Sequence, residues 1–213
     1  MVAVFNPPGQ LAEQRVLLRA DWELYQRLLA KNEDCSNPRF AYDDGWLEIM
    51  TLSERHEEPN RTLALLVEVL AEEFGLNLRR LGSTTFTRPD LLKGVEPDSC
   101  FYLQNLAAVR GKKKIDLAND PPPDLVIEVD ITHPSLDKLP IFAGLGVPEI
   151  WLCDGRRVKF LRLAGKDYRE TAQSVALPLL TDEMATRFLR ANEELESLAW
   201  LRQVRTWARA AHI

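Results

Sequence analysis

Residues 121–155 read PPPDLVIEVDITHPSLDKLPIFAGLGVPEIWLCDG, and the fold class turns on them. Within this stretch Leu125-Val126-Ile127-Glu128-Val129 is short, rich in β-branched residues and apolar on both faces, the pattern of a buried central strand. Three prolines break the chain just before it. After the connection 132–135 a helix is predicted over 136–145, with Gly146 as its stop and Pro140 tolerable in its first turn. The stretches 150–153 and 158–163 then flank Asp154-Gly155 as a hairpin. The reading is α/β, one mixed β-sheet flanked by helices.

Outward from this core, 11–29 mixes Leu, Ala, Glu, Gln and Arg at helical spacing, and 32–38 reads as the loop that closes that helix. Segments 39–42 and 46–50 alternate around Asp43-Asp44-Gly45, a hairpin signal. Ser53 and the acids after it cap a helix whose apolar stripe is Leu63, Leu66, Val67, Leu70 and Phe74, with Gly75 as its end. Strands are expected over 78–87 and 98–103. The end, 181–213, reads as helical, with Trp200 and Trp207 on one face. A chain of 213 residues fits one domain, 1–213, with 181–213 as a helical appendix.

Composition narrows the function classes. Apolar residues at 46% and charged residues at 28% describe a soluble globular chain. A net charge of −5 excludes a binder held by bulk positive charge, but not a local basic groove. No window has the roughly 18 uncharged apolar residues of a membrane span. The start, MVAVFNPPGQ, lacks a basic segment followed by an apolar run, so a cytoplasmic protein with no membrane partner is expected. Three cysteines without CxxC spacing argue against a disulfide framework or a zinc knuckle, and Cys100 and Cys153 read as small core residues.

Asp98, Glu128 and Asp130 fall at strand positions, where an unpartnered carboxylate is costly. Such a cluster signals a bound cation, a proton relay or structural ion pairs. Oxygen donors suit Mg²⁺ or Mn²⁺ rather than zinc. Strand alternation sends Glu128 and Asp130 to one face and Val129 into the core, and Lys138 follows close enough to bring an ammonium. Acids with a divalent ion and a nearby cation are what phosphodiester hydrolysis needs. The alternative is that Asp98 and Asp130 sit at strand ends and Glu128 meets an arginine.

Three stretches, LEIMTLSERHE (47–57), LGSTTFTRPDLLKGVEPDSCFYLQN (81–105) and the 121–155 segment, resemble the Uma-two family of restriction endonucleases, long catalogued as a domain of unknown function. Through it the chain resembles the PD-(D/E)xK nuclease superfamily, over about residues 40–163. The resemblance implies a restriction-endonuclease-like core, an endonuclease using Mg²⁺ or Mn²⁺, a nucleic-acid substrate (DNA ahead of RNA) and a homodimer. It places the family's proline-aspartate on Pro97 and Asp98 and its strand acid on Glu128. The superfamily's usual lysine, two residues after that acid, is Asp130 here; the lysine appears instead at Lys138, eight residues before Gly146. Asp98 and Glu128 are thus implied metal ligands, Asp130 a third or a partner for Lys138, and Lys138 the catalytic cation. His56, Glu57 and Glu96 are accessory candidates, with Glu68 behind them; His56 and Glu68 also read as surface residues. Arg79-Arg80, Lys112 to Lys114 and Arg156-Arg157 with Lys159 are phosphate contacts or solvated faces. Arg202, Arg205 and Arg209, interleaved with the tryptophans, suggest a helix packed on the body or on a second subunit. The competing class is a nucleic-acid or protein-binding module that keeps this fold without catalysis.

Overall fold

A computed structural model describes residues 14–211 except 34, 36, 52, 53 and 132–135. The Ser53 cap and the 132–135 connection therefore lie outside the described residues. The predicted central strand forms as β8 (Leu125–Val129), with every residue buried. Its odd positions, Leu125, Ile127 and Val129, join one apolar cluster and Val126 joins another, as period-two alternation requires. Strand β9 (Glu149–Cys153) runs parallel to β8, and β7 (Ser99–Tyr102) runs antiparallel on its other side. With β10 (Val158–Ala164), β11 (Asp167–Thr171) and β4 (Arg79–Arg80), these make a mixed sheet in the order β11-β10-β9-β8-β7-β4.

A second, fully antiparallel sheet accompanies it, in the order β1-β3-β2-β6-β5. Its strands are β1 (Gln14–Arg19), β2 (Arg39–Asp43), β3 (Trp46–Thr51), β5 (Phe86–Arg88) and β6 (Lys93–Val95). The β2–β3 hairpin is the expected one: Asp44 and Gly45 both take positive φ, at 40° and 88°, as a two-residue primed turn demands. Ala41, Phe86 and Val95 of this sheet share a cluster with Val126 and Ile150 of the other, so the two sheets pack on common apolar ground.

Two expectations are corrected here. The predicted helix over 11–29 is replaced, within the described residues, by β1 followed by α1 (Trp22–Lys31). Pairing of β1 with β3 from Gln14↔Thr51 to Arg19↔Trp46 outweighs local helical preference. Asp21 then caps α1, accepting from Leu24 N at 2.7 Å. The single strand over 78–87 is instead two short strands in different sheets, β4 and β5, with 81–85 crossing between them.

Helix α2 (Glu54–Glu73) lays Leu63, Leu66, Val67 and Leu70 against Leu125, Ile127 and Val129. Helices α3 (Leu106–Val109) and α4 (Leu139–Leu145) follow. Helix α4 starts three residues later than predicted, carries Pro140 in its first turn, and stops at Gly146 with φ of 79°. The C-terminal helical stretch is two helices, α5 (Asp182–Glu194) and α6 (Ser197–Ala211).

Trp200 is buried, its indole N–H donating to Phe188 O at 2.8 Å, and Trp207 meets the Phe188 ring edge-on at 5.6 Å between centroids. The tryptophan face is packing on the body. Arg205 and Arg209 clamp α6 to α2 through Glu73, at 2.6 and 2.8 Å. Hydrogen bonds from Arg209 and Arg205 hold the Glu73 carboxyl down from 4.5 to about 2. A group lowered on folding stabilises fully above its unfolded value and loses that contribution as pH falls through the folded one. Glu73→Gln is therefore expected to lower the urea midpoint at pH 7, with the gap to wild type closing between about pH 4.5 and 2. A gap independent of pH would refute the ionic clamp.

Candidate active site

The β7–β8 register pairs Ser99 with Ile127 and Cys100 with Val126, which carries Asp98 to the position opposite Glu128. Asp98 lies on the link from β6 to β7, where the chain passes from one sheet to the other. Main-chain contacts lock the two acids together: Val129 N donates to Asp98 Oδ2 at 2.7 Å, and Asp98 N faces Glu128 Oε1 at 3.3 Å. Lys138, at the N-cap position of α4, reaches back so that Nζ donates to Glu128 Oε2 at 2.8 Å. The lysine named from the family resemblance therefore converges with both acids in space.

Three further residues close around Asp98. The Arg39 guanidinium donates to Asp98 Oδ1, and its other end lies 3.5 Å from Glu57 Oε1. His56 Nε2 is 3.3 Å from Asp98 Oδ2, and Asn60 donates from Nδ2 to the Asp98 carbonyl at 3.3 Å. His56 is fully buried, not at the surface. Because α2 packs its apolar stripe on β8, its first turns lie over Asp98, bringing His56, Glu57 and Asn60 to the site.

Burial pushes the Asp98 and Glu128 carboxyls upward, against the pull of Arg39 and Lys138 on the first and Lys138 on the second. Burial also works against the Lys138 charge, but Glu128 and Asp98 outweigh it and hold the ammonium above its ordinary range. Two buried carboxylates and two cations, Arg39 and Lys138, thus balance one another as a unit.

Asp130 lies just beyond β8, 25% exposed, with Oδ1 3.6 Å from Arg15 Nη2. Arg15 also meets Glu48, which is buried and accepts from Leu136 N at 2.9 Å. Glu48 thereby ties the sheet holding β1 and β3 to the segment that delivers Lys138. Glu128, Asp130, Lys138 and Arg15 line a pocket of about 110 Å³, whereas Asp98 and Arg39 line a separate cleft of about 600 Å³ beneath α2. Glu96 spends its carboxylate on Phe40 N at 2.9 Å and the Thr85 hydroxyl at 2.6 Å; burial raises its pKa, and the Thr85 bond opposes that rise. Glu68 pairs with Arg80 at the rim of the cleft beneath α2. Among the described residues no three His, Cys, Asp or Glu side chains gather as a ready metal cage.

Arg15, Arg39, Glu48 and Asn60 escaped the sequence reading. The available signal was Glu48 itself, an acid between Leu47 and Ile49 in a predicted strand, as conspicuous as Glu128.

The family model described as Uma2, "Putative restriction endonuclease", matches residues 22–192. Comparison with curated proteins gives no match. Among solved structures, one titled as "a putative nuclease belonging to DUF820" from Anabaena variabilis ATCC 29413 is similar, at 14% identity and a TM-score of 0.46. That likeness covers 72% of this chain and 93% of the other.

Proposed function

This chain belongs to the Uma2 restriction endonuclease family, and from that premise we propose that it hydrolyses nucleic-acid phosphodiesters, DNA ahead of RNA, with Mg²⁺ or Mn²⁺. The observation that carries the reading is the convergence of Asp98, Glu128 and Lys138 at the sheet crossover. The donors fit a hard divalent ion: they are carboxylate oxygens, and Mg²⁺ takes only one or two carboxylates while keeping several waters. Asp98 and Glu128 would hold it, with Asp130, beside Glu128 in the Lys138 pocket, as a third oxygen. When bound, such an ion supplies Lewis acidity at the phosphate and an acidified water.

The chain's own residues do the rest. Lys138 keeps a positive charge beside Glu128, where it orients a water or stabilises charge developing on the phosphate. Arg39 and the Val129 N–H hold the Asp98 carboxylate in one orientation, with the buried His56 ring beside it. A homodimer, bringing two centres to two strands, and a cytoplasmic location belong to the same reading. Among the described residues no helix is long and apolar enough to cross a membrane.

A second reading has its own support. Arg39, Lys138 and main-chain N–H groups already engage the Asp98 and Glu128 carboxylates. A centre so satisfied also suits a binding module that keeps the fold without catalysis. Supercoiled plasmid and single-stranded DNA incubated with Mg²⁺ or Mn²⁺ separate the two. Cleavage abolished by chelator is expected. Binding of DNA with no cleavage under either metal would establish the module instead.

A further inference from the structure

The clefts around the acid centre differ in size and in charge. The pocket of about 110 Å³ at Lys138 admits a few waters but no nucleotide. A cleft of about 630 Å³ on the far side of Ser83 carries Lys114 against Glu33 and Glu96, a lining that repels phosphate. The cleft of about 600 Å³ beneath α2 sets Arg39, Arg61 and Arg80 against Asp98, Glu57 and Glu68, a balanced lining, with Asn60 and Ser83 as uncharged hydrogen-bonding groups. Arg39 is committed to Asp98. Arg61 and Arg80 are not committed in that way. Their side chains are 82% and 67% exposed, and among the described residues each pairs with a carboxylate on α2, Glu57 and Glu68 respectively. Exposed pairs of this kind contribute little, so an incoming phosphate can take the guanidinium from its glutamate.

We propose that Arg61 and Arg80 form the phosphate-binding subsite for a nucleic-acid strand whose scissile bond lies over Asp98, so that substrate enters beneath α2 and not from the Lys138 side. This rests on the nuclease reading and adds the direction of approach. The two arginines come from different elements, α2 and β4, and face one cleft across the 81–85 crossover. Their forked donors suit successive phosphates of a backbone, without base preference. Glu68 is then a gate: at rest it holds Arg80, and its charge opposes the strand.

The test uses labelled single-stranded and duplex DNA oligonucleotides with the full chain, measuring Kd against salt together with kcat and KM. Arg61→Ala/Arg80→Ala is expected to raise Kd and KM at least tenfold and to reduce the slope of log K against log salt by about 2, with kcat little changed. Glu68→Gln is expected to tighten binding. Lys166→Ala, an exposed lysine in the turn between β10 and β11, is expected to match wild type. Should wild type bind and cleave while the double variant does the same with an unchanged salt slope, the subsite is refuted and the nuclease reading stands. Should wild type neither bind nor cleave, the nuclease reading falls and takes the subsite with it.

Discussion

Lys138→Ala is expected to lower plasmid cleavage by about 10²-fold or more, the scale of losing one preorganised charge that orients the attacking water from the Glu128 side of the centre. Glu128→Ala should remove it to background. Lys138 comes from the start of α4, so its ammonium reaches Glu128 Oε2 by stem length and by the Glu48–Leu136 tie. Lys138→Arg should recover little, because a planar fork does not replace a point charge in a pocket of about 110 Å³. A pH series separates catalysis from folding. Without Lys138, Glu128 is a buried carboxyl whose pKa burial has raised. Such a group is neutral and harmless below its unfolded value, and stability drops as pH rises through its folded one. The Lys138→Ala melting temperature should therefore fall toward alkaline pH relative to wild type. Cleavage persisting in a folded Lys138→Ala protein would keep the nuclease and remove this lysine from its mechanism.

What the sequence made legible follows from how local each signal is. Strand β8 is readable because a run of buried apolar residues needs no partner to be recognised, and Glu128 is conspicuous because it interrupts that run. Asp98 is readable as an acid near a strand start, but its place opposite Glu128 depends on a register set between residues about 30 apart. Lys138 is legible as an ammonium that follows the strand closely and, through the family resemblance, as the catalytic lysine, but only the fold brings it within 2.8 Å of Glu128. Strand β1 was hidden because Val16, Leu17 and Leu18 suit either a helix or a strand, and the deciding partner, β3, is about 30 residues away. The same non-locality hid the second sheet: the crossing at 81–85 is short and looks like continued strand. Arg39 was unreadable for another reason. An arginine at a strand start is ordinary, and nothing in its neighbours reveals that Asp98 waits 59 positions on.

That hidden arginine yields the largest stability prediction. Arg39 is 6% exposed and Asp98 2%, so Arg39→Met leaves a buried carboxylate without its guanidinium. Breaking a buried pair by removing one partner costs about 3–5 kcal/mol, because the remaining charge is uncompensated. At about 2–4 °C per kcal/mol for a chain of this size, the melting temperature should drop by about 6–20 °C. Asp98→Asn added to that variant removes the stranded charge while keeping an oxygen to accept from Val129 N. The double variant should therefore be more stable than Arg39→Met alone, with a coupling energy of about 1–3 kcal/mol in the cycle. Arg39→Lys should fall between, since one ammonium cannot span Asp98, the Pro97 carbonyl and Glu57 as the guanidinium does. If the two substitutions add without coupling, Arg39 does not neutralise Asp98, and the balance of two acids against two cations at this site is wrong. If they couple as expected, Asp98 is a carboxylate kept charged in the interior by a residue that also lines the proposed substrate cleft. Any ion or phosphate reaching Asp98 must then do so in competition with Arg39.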